Sequence, residues 1–162
     1  MQKLLLRVYN SRRLSLSLKI ISHASVVISV LAYALLFALR FNEAVISAVK
    51  FICVSAVPFV IVSLVRSFIN APRPYELYEF YEKKPKDKAG RSFPSRHVFS
   101  AFMIAVLSVP VSLPLAVALL AVSLSLAASR VLLGIHFIRD VAAGGIIGTL
   151  SGVLGIIIMY TV

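Results

Sequence analysis

The chain has no tryptophan, one cysteine and only six acidic residues among 162. Cys53 lies inside an apolar run, so no intramolecular disulfide is possible and the redox compartment stays open. Without tryptophan, any aromatic belt at a membrane interface falls to six tyrosines and ten phenylalanines. The shortage of carboxylates leaves a net charge of +11. What fills the chain instead is apolar: 60% of residues are hydrophobic and the mean hydropathy is +0.97, outside the soluble range. The basic residues flank the apolar runs, which points to anionic lipid surfaces and away from nucleic acid.

Residues 1–19 interleave Lys3, Arg7, Arg12, Arg13 and Lys19 with leucines and Val8, the pattern of a basic amphipathic arm lying on a membrane. The uncharged run 20–39 exceeds a signal-peptide core and lacks a small-residue cleavage site, so it is expected as the first span. His23 within it is expected to be packed or interfacial. A second span is expected over 44–65, with Lys50 snorkelling near its entry and Pro58 as a kink. Residues 66–94 form a polar active-site loop, in which Tyr75, Tyr78, Phe80 and Tyr81 among Glu76, Glu79 and Glu82 suit a short headgroup-level helix. Val98–Ala128 is uncharged throughout, and Pro110 and Pro114 favour a turn inside it. Two helices are therefore expected, over 95–111 and 114–135. The last span covers 141–162, where Gly144, Gly148 and Gly152 share one face and invite close helix packing. The expected architecture is a single all-α integral membrane domain over 1–162, a bundle of about five transmembrane helices preceded by the amphipathic arm.

This topology returns the chain to one face and gathers Arg66, Arg73, Ser95, Arg96, His97, Arg130, His136 and Asp140 there. His136 and Asp140 are four apart, so on a helix they would share a face, and the carboxylate could fix the imidazole tautomer. Two histidines with an aspartate could also hold zinc, but four arginines repel a divalent cation and attract an anion. Guanidinium forks match phosphate oxygens. Ser95, after Pro94 at the start of an apolar helix, reads as a cap whose neighbouring N–H groups face the same anion. Phosphoryl transfer fits: one histidine attacks phosphorus while the other protonates the leaving oxygen.

Three segments carry a family resemblance. They are Arg66 followed by six residues and Arg73-Pro74; Pro94-Ser95-Arg96-His97; and Ser129-Arg130 through His136 to Asp140. In this order they resemble the signature of the type-2 phosphatidic acid phosphatase superfamily of membrane lipid phosphatases, over about half the chain. The resemblance implies His136 as a nucleophile that forms a phosphohistidine, Asp140 as its orienter and His97 as general acid. Arg66, Arg73, Ser95 and Arg130 are implied as phosphate ligands, with no metal or other cofactor, and Arg96 between Ser95 and His97 is a further phosphate-binding candidate. Two positions depart from the signature: Arg66 stands where it has lysine and Arg96 where it has glycine. Arg96 either engages a second phosphate or points to the headgroup region. Five spans are also one fewer than the six usual in the family.

The implied substrates are lipid phosphates or diphosphates such as phosphatidic acid, phosphatidylglycerol phosphate and undecaprenyl diphosphate, in a bacterial or archaeal cell membrane. A phosphotransferase using the same site, or a catalytically silent lipid-phosphate binder or transporter, is the alternative. The expected topology places every Lys and Arg except Arg40 and Lys50 on the active-site face. The positive-inside rule reads that face as cytoplasmic, whereas the resemblance implies an extracytoplasmic site.

Overall fold

A computed structural model describes residues 2–80 and 90–161. The described residues form seven helices: α1 (Gln2–Asn10), α2 (Arg12–Glu43), α3 (Val45–Ile69), α4 (Pro74–Leu77), α5 (Arg96–Leu107), α6 (Leu113–Leu132) and α7 (Ile138–Thr161). Four of them, α2, α3, α6 and α7, are long and apolar enough to cross a membrane. With the shorter α5 they make an all-α membrane bundle, and α1 packs against α2 and α6 through the buried Leu5 and Val8.

Several boundaries differ from the sequence reading, each for a local reason. The arm stops at Ser11, which turns extended and caps α2 by accepting from the Leu14 N–H at 3.4 Å. Residues 12–19 therefore form the first turns of α2. α3 runs on to Ile69, because nothing breaks it until Asn70 takes the left-handed conformation (φ 44°) ahead of Ala71-Pro72. Arg66 is thus a helical residue in the last turn of α3. Ser112 caps α6 with Pro114 in its first turn, so the long uncharged run is two antiparallel helices joined over 108–112. Of the short headgroup helix only α4 forms among the described residues; Tyr81 and Glu82 lie outside them.

α5 is the axis of the bundle. Val98, Phe99, Ala101, Met103, Ile104, Ala105 and Leu107 are all buried, and α5 packs against α2, α3, α6 and α7. At twelve residues it rises about 18 Å, well short of a hydrocarbon core of about 30 Å, so it does not span alone. The longer helices enclose it. α2 presents small residues inward at helical spacing, Ser22, Ser25, Ser29 and Ala32, and packs on α3 and α6. The outer faces carry Val27, Leu31, Val57, Ile61, Ile146 and Leu150, all exposed, as a surface solvated by lipid requires.

The glycine stripe of α7 faces α5. A Cβ at Gly144 would lie 2.6 Å from the Ser95 carbonyl oxygen, and one at Gly148 would strike the Phe99 carbonyl oxygen. Backbone meets backbone there, and no side chain fits between. Gly148→Val is therefore expected to lower the thermal midpoint of the detergent-solubilised protein, at a cost of roughly 1–3 kcal/mol from overpacking. Leu150→Val on the lipid face serves as control, and equal midpoints for the two variants would contradict the packing argument.

Candidate active site

Chain direction brings four helix ends together. α3 and α6 run towards the site and end in it; α5 and α7 start there. Arg66 and Arg130 occupy the last turns of α3 and α6, where unpaired carbonyls favour a cation. Asp140 sits in the first turn of α7, where free N–H groups favour an anion. The opposite end of the bundle is marked by Arg40, which pairs with Glu43 at 2.9 Å and donates to the Tyr160 hydroxyl at 2.9 Å. That tie fixes the end of α2 beside the end of α7.

His136 and Asp140 do not share a helix. α6 ends at Leu132, Gly134 takes φ +66°, and His136 lies in the turn before α7. Asp140 reaches back along this turn: its Oδ2 accepts from the Phe137 N–H at 2.9 Å, the reciprocal half of a capping box. The direct His136 Nδ1 to Asp140 Oδ2 distance is 3.6 Å, too long for a hydrogen bond. Ser92 fills the gap. Its Oγ lies 3.2 Å from His136 Nδ1 and donates to Asp140 Oδ2 in a short hydrogen bond. With Nδ1–H donating to Ser92, the tautomer leaves Nε2 with its lone pair exposed to the site. Ser92, His136 and Asp140 are at most 2% exposed.

The sequence reading missed Ser92. The residue precedes Phe93-Pro94-Ser95 directly, and its only sequence signal is a hydroxyl beside that segment. Its position is set by backbone pairing, since the Ser92 N–H donates to the Ala71 carbonyl at 2.8 Å. The Arg91 N–H donates to Asn70 Oδ1 at 3.2 Å, and Glu76 Oε1 accepts from both Arg73 and Gly90 N–H groups. These bonds stitch 70–76 to 90–92, so both ends of the long loop are held against the bundle.

The cations converge on this pair. Arg66 feels the charges of Arg73, Arg96, Asp140 and Arg91, and His97 those of Arg130, His136, Arg96 and Arg66. Arg66 is buried and donates to the Pro94 carbonyl at 3.3 Å. Arg73 uses its Nε on the Gly90 carbonyl at 3.0 Å, and its guanidinium also meets Tyr75, 5.7 Å from the ring centroid. Ser95 begins α5, its N–H donating to the Asp140 carbonyl at 3.0 Å, which joins α5 to α7. Ser95 Oγ and Arg130 Nε are buried and make no hydrogen bond among the described residues. Buried polar groups without partners are rare and ask for a ligand.

Burial is the main cause that holds the His136 imidazole below its ordinary range. The charges of Arg73 and Arg66 add to this and the carboxylate of Asp140 opposes it. His136 is therefore neutral at neutral pH, the state in which Nε2 can attack. His97 is exposed at the edge of the site and lines a cleft between α2, α3 and α5. One sequence candidate lies to the side of the site. Arg96 lies against α3 beside the cluster, its guanidinium 5.8 Å from the Phe59 ring centroid and its Nη1 3.5 Å from Ser63 Oγ. His23 lies within 2.7 Å of the Lys19 carbonyl on its own helix.

The fold is similar to that of LpxE from Aquifex aeolicus, with a TM-score of 0.71 and 26% identity over 91% of this chain and 87% of that one. It is also similar to a transmembrane PAP2-type phosphatidylglycerolphosphate phosphatase from Bacillus subtilis. There the TM-score is 0.61 and identity 19% over 99% and 92% of the two chains, a likeness of fold. No curated protein sequence matches the chain. The PAP2 superfamily model matches residues 31–162, a stretch that contains Ser92 and every residue of the cluster. The chain belongs to the PAP2 superfamily.

Proposed function

We propose that the protein hydrolyses the terminal phosphate of a membrane lipid through a phosphohistidine on His136. The observation that carries this reading is the buried His136, its Nδ1 held by Ser92, which Asp140 holds in turn, within reach of the charges of Arg73 and Arg66. Pure binding of a lipid phosphate needs no neutral, oriented imidazole among cations.

In the first step Nε2 attacks phosphorus and the bond to the lipid oxygen breaks. The electron pair stays on that oxygen, and protonated His97 supplies its proton. Arg66, Arg73 and Arg130 spread the charge of the equatorial oxygens, with Ser95 Oγ and the free N–H groups of the first turn of α5 as further donors. In the second step His97, now neutral, takes a proton from water as the water attacks the phosphohistidine. Cleavage of the P–N bond returns the pair to Nε2 and frees inorganic phosphate. Ser92 and Asp140 position the ring and stabilise the positive charge it carries as the phosphohistidine forms.

The test is phosphate release by detergent-purified protein in the presence of chelator, from phosphatidic acid, phosphatidylglycerol phosphate and undecaprenyl diphosphate. Release that disappears in His136→Ala, in protein of unchanged thermal midpoint, supports the reading. A wild-type protein that binds these lipids and releases nothing would instead be a silent binder.

Ser92→Ala is expected to lower kcat by roughly 10–100-fold with a much smaller change in KM, because the nucleophile loses its bridge to Asp140. Ser92→Thr, which keeps the hydroxyl, should recover part of the loss. A change confined to KM would contradict a positioning role. The third expectation concerns protonation. The folded-state pKa of His136 is depressed, so protonation, and loss of the nucleophile, sets in only below the ordinary imidazole value of about 6.5. An NMR titration of ligand-free protein labelled at histidine, assigned with His136→Ala, checks this; titration at or above that value would refute it.

A further inference from the structure

The side chain of Arg96 enters a cleft of about 540 Å³ between α2, α3 and α5. Val26, Val30, Ala56, Phe59, Met103 and Ile104 make its walls apolar, and His97 stands in the same lining as Arg96. Arg96 therefore occupies the junction between the catalytic cluster and an apolar cleft. Its contacts there are weak: the Phe59 ring and a long hydrogen bond to Ser63. Among the described residues no carboxylate pairs with it. A guanidinium placed against apolar walls without a counter-ion is costly, and a bound anion would offset that cost.

The general-acid position says which anion. His97 gives its proton to the leaving oxygen, so the leaving group lies on the His97 side of the phosphorus, which is the side of the cleft. Whatever group joins the scissile phosphate to the tail therefore passes Arg96. In a simple lipid phosphate that group is a neutral carbon. In a lipid diphosphate it is a second phosphate.

We propose that Arg96 is a specificity-determining residue that holds the tail-proximal phosphate of a lipid diphosphate, with the tail in the α2–α3–α5 cleft. This rests on the phosphatase reading above. Attack by His136 on the terminal phosphorus breaks its bond to the bridging oxygen, and the electron pair leaves with the lipid monophosphate. Water then releases inorganic phosphate, so that lipid diphosphate and water give lipid monophosphate and phosphate. Arg96 neutralises the charge that gathers on the departing monophosphate, a task that a monophosphate substrate does not present.

Binding separates this proposal from the chemistry. In the His136→Ala background, which cannot turn substrate over, affinities are measured by calorimetry in detergent for geranylgeranyl diphosphate, geranylgeranyl monophosphate and phosphatidylglycerol phosphate. Adding Arg96→Gly is expected to weaken the diphosphate by about 10–100-fold relative to the monophosphate, the range of a lost charge-assisted hydrogen bond. Arg96→Lys should restore part of the preference. An equal loss for diphosphate and monophosphate overturns the proposal, as does a loss as large for phosphatidylglycerol phosphate, whose second phosphate is not adjacent to the first. Turnover by otherwise wild-type protein tests the phosphatase reading on its own. Diphosphate-selective binding that depends on Arg96, without any phosphate release, would sink that reading and leave the role of Arg96 standing.

Discussion

α7 rests on α5 with backbone against backbone, and the catalytic geometry depends on that contact. Gly144 sits under the Ser95 carbonyl, and the Ser95 N–H donates to the Asp140 carbonyl. The same approach sets Asp140, and the turn it caps, beside the start of α5. The distance between His136 and the residues at the head of α5 is therefore fixed by main-chain atoms, with no rotamer in the path. Small residues are the common means of close approach in a bilayer, where apolar side chains gain little by leaving lipid for protein. Here the close approach also builds a site.

Electrostatics gives that site its direction. Arg66, Arg73 and Arg130 repel one another across a buried space, and only Asp140 among the described residues brings a carboxylate into it. Helix ends offset part of the repulsion, since Arg66 and Arg130 both sit where α3 and α6 expose carbonyls. What remains is an excess of positive charge beside Ser95 Oγ, and Ser95 Oγ and Arg130 Nε are buried without a hydrogen-bond partner among the described residues. A phosphate group supplies what the cluster lacks, in charge and in acceptor atoms.

Much of the fold was legible because the bilayer allows few solutions. Apolar runs had to be helices, and the prolines of 110–114 divided the longest run, which put the charged segments on one face. The helix boundaries were less legible. Residues 12–19 read as one piece with 1–11 because of their charges, whereas Ser11 divides them and makes them the start of α2. Arg66 read as loop because the charge ended an apolar run, although nothing ended the helix until Asn70. Within the site, the spacing of His136 and Asp140 suggested a shared helix face, whereas Gly134 forces a turn between α6 and α7. Ser92 left no spacing signal at all, because a pairing between two distant ends of a loop brings it in. The direction of Arg96 was equally open, since a first-turn residue can face the surface or a neighbouring helix.

The tie between α5 and α7 also divides the molecule into a stiff part and a compliant one. Backbone packing at Gly144 and Gly148 and the Ser95–Asp140 hydrogen bond make α5 and α7 a single rigid unit. The cleft has a different second wall, formed by α2 and α3, which meet through side chains: the Tyr33 ring lies 5.1 Å from that of Phe51 and its hydroxyl 2.9 Å from Ser55 Oγ. α5 and α7 therefore carry Ser95 and Asp140 as one piece, whereas Arg66 comes to the site on the other wall, from α3.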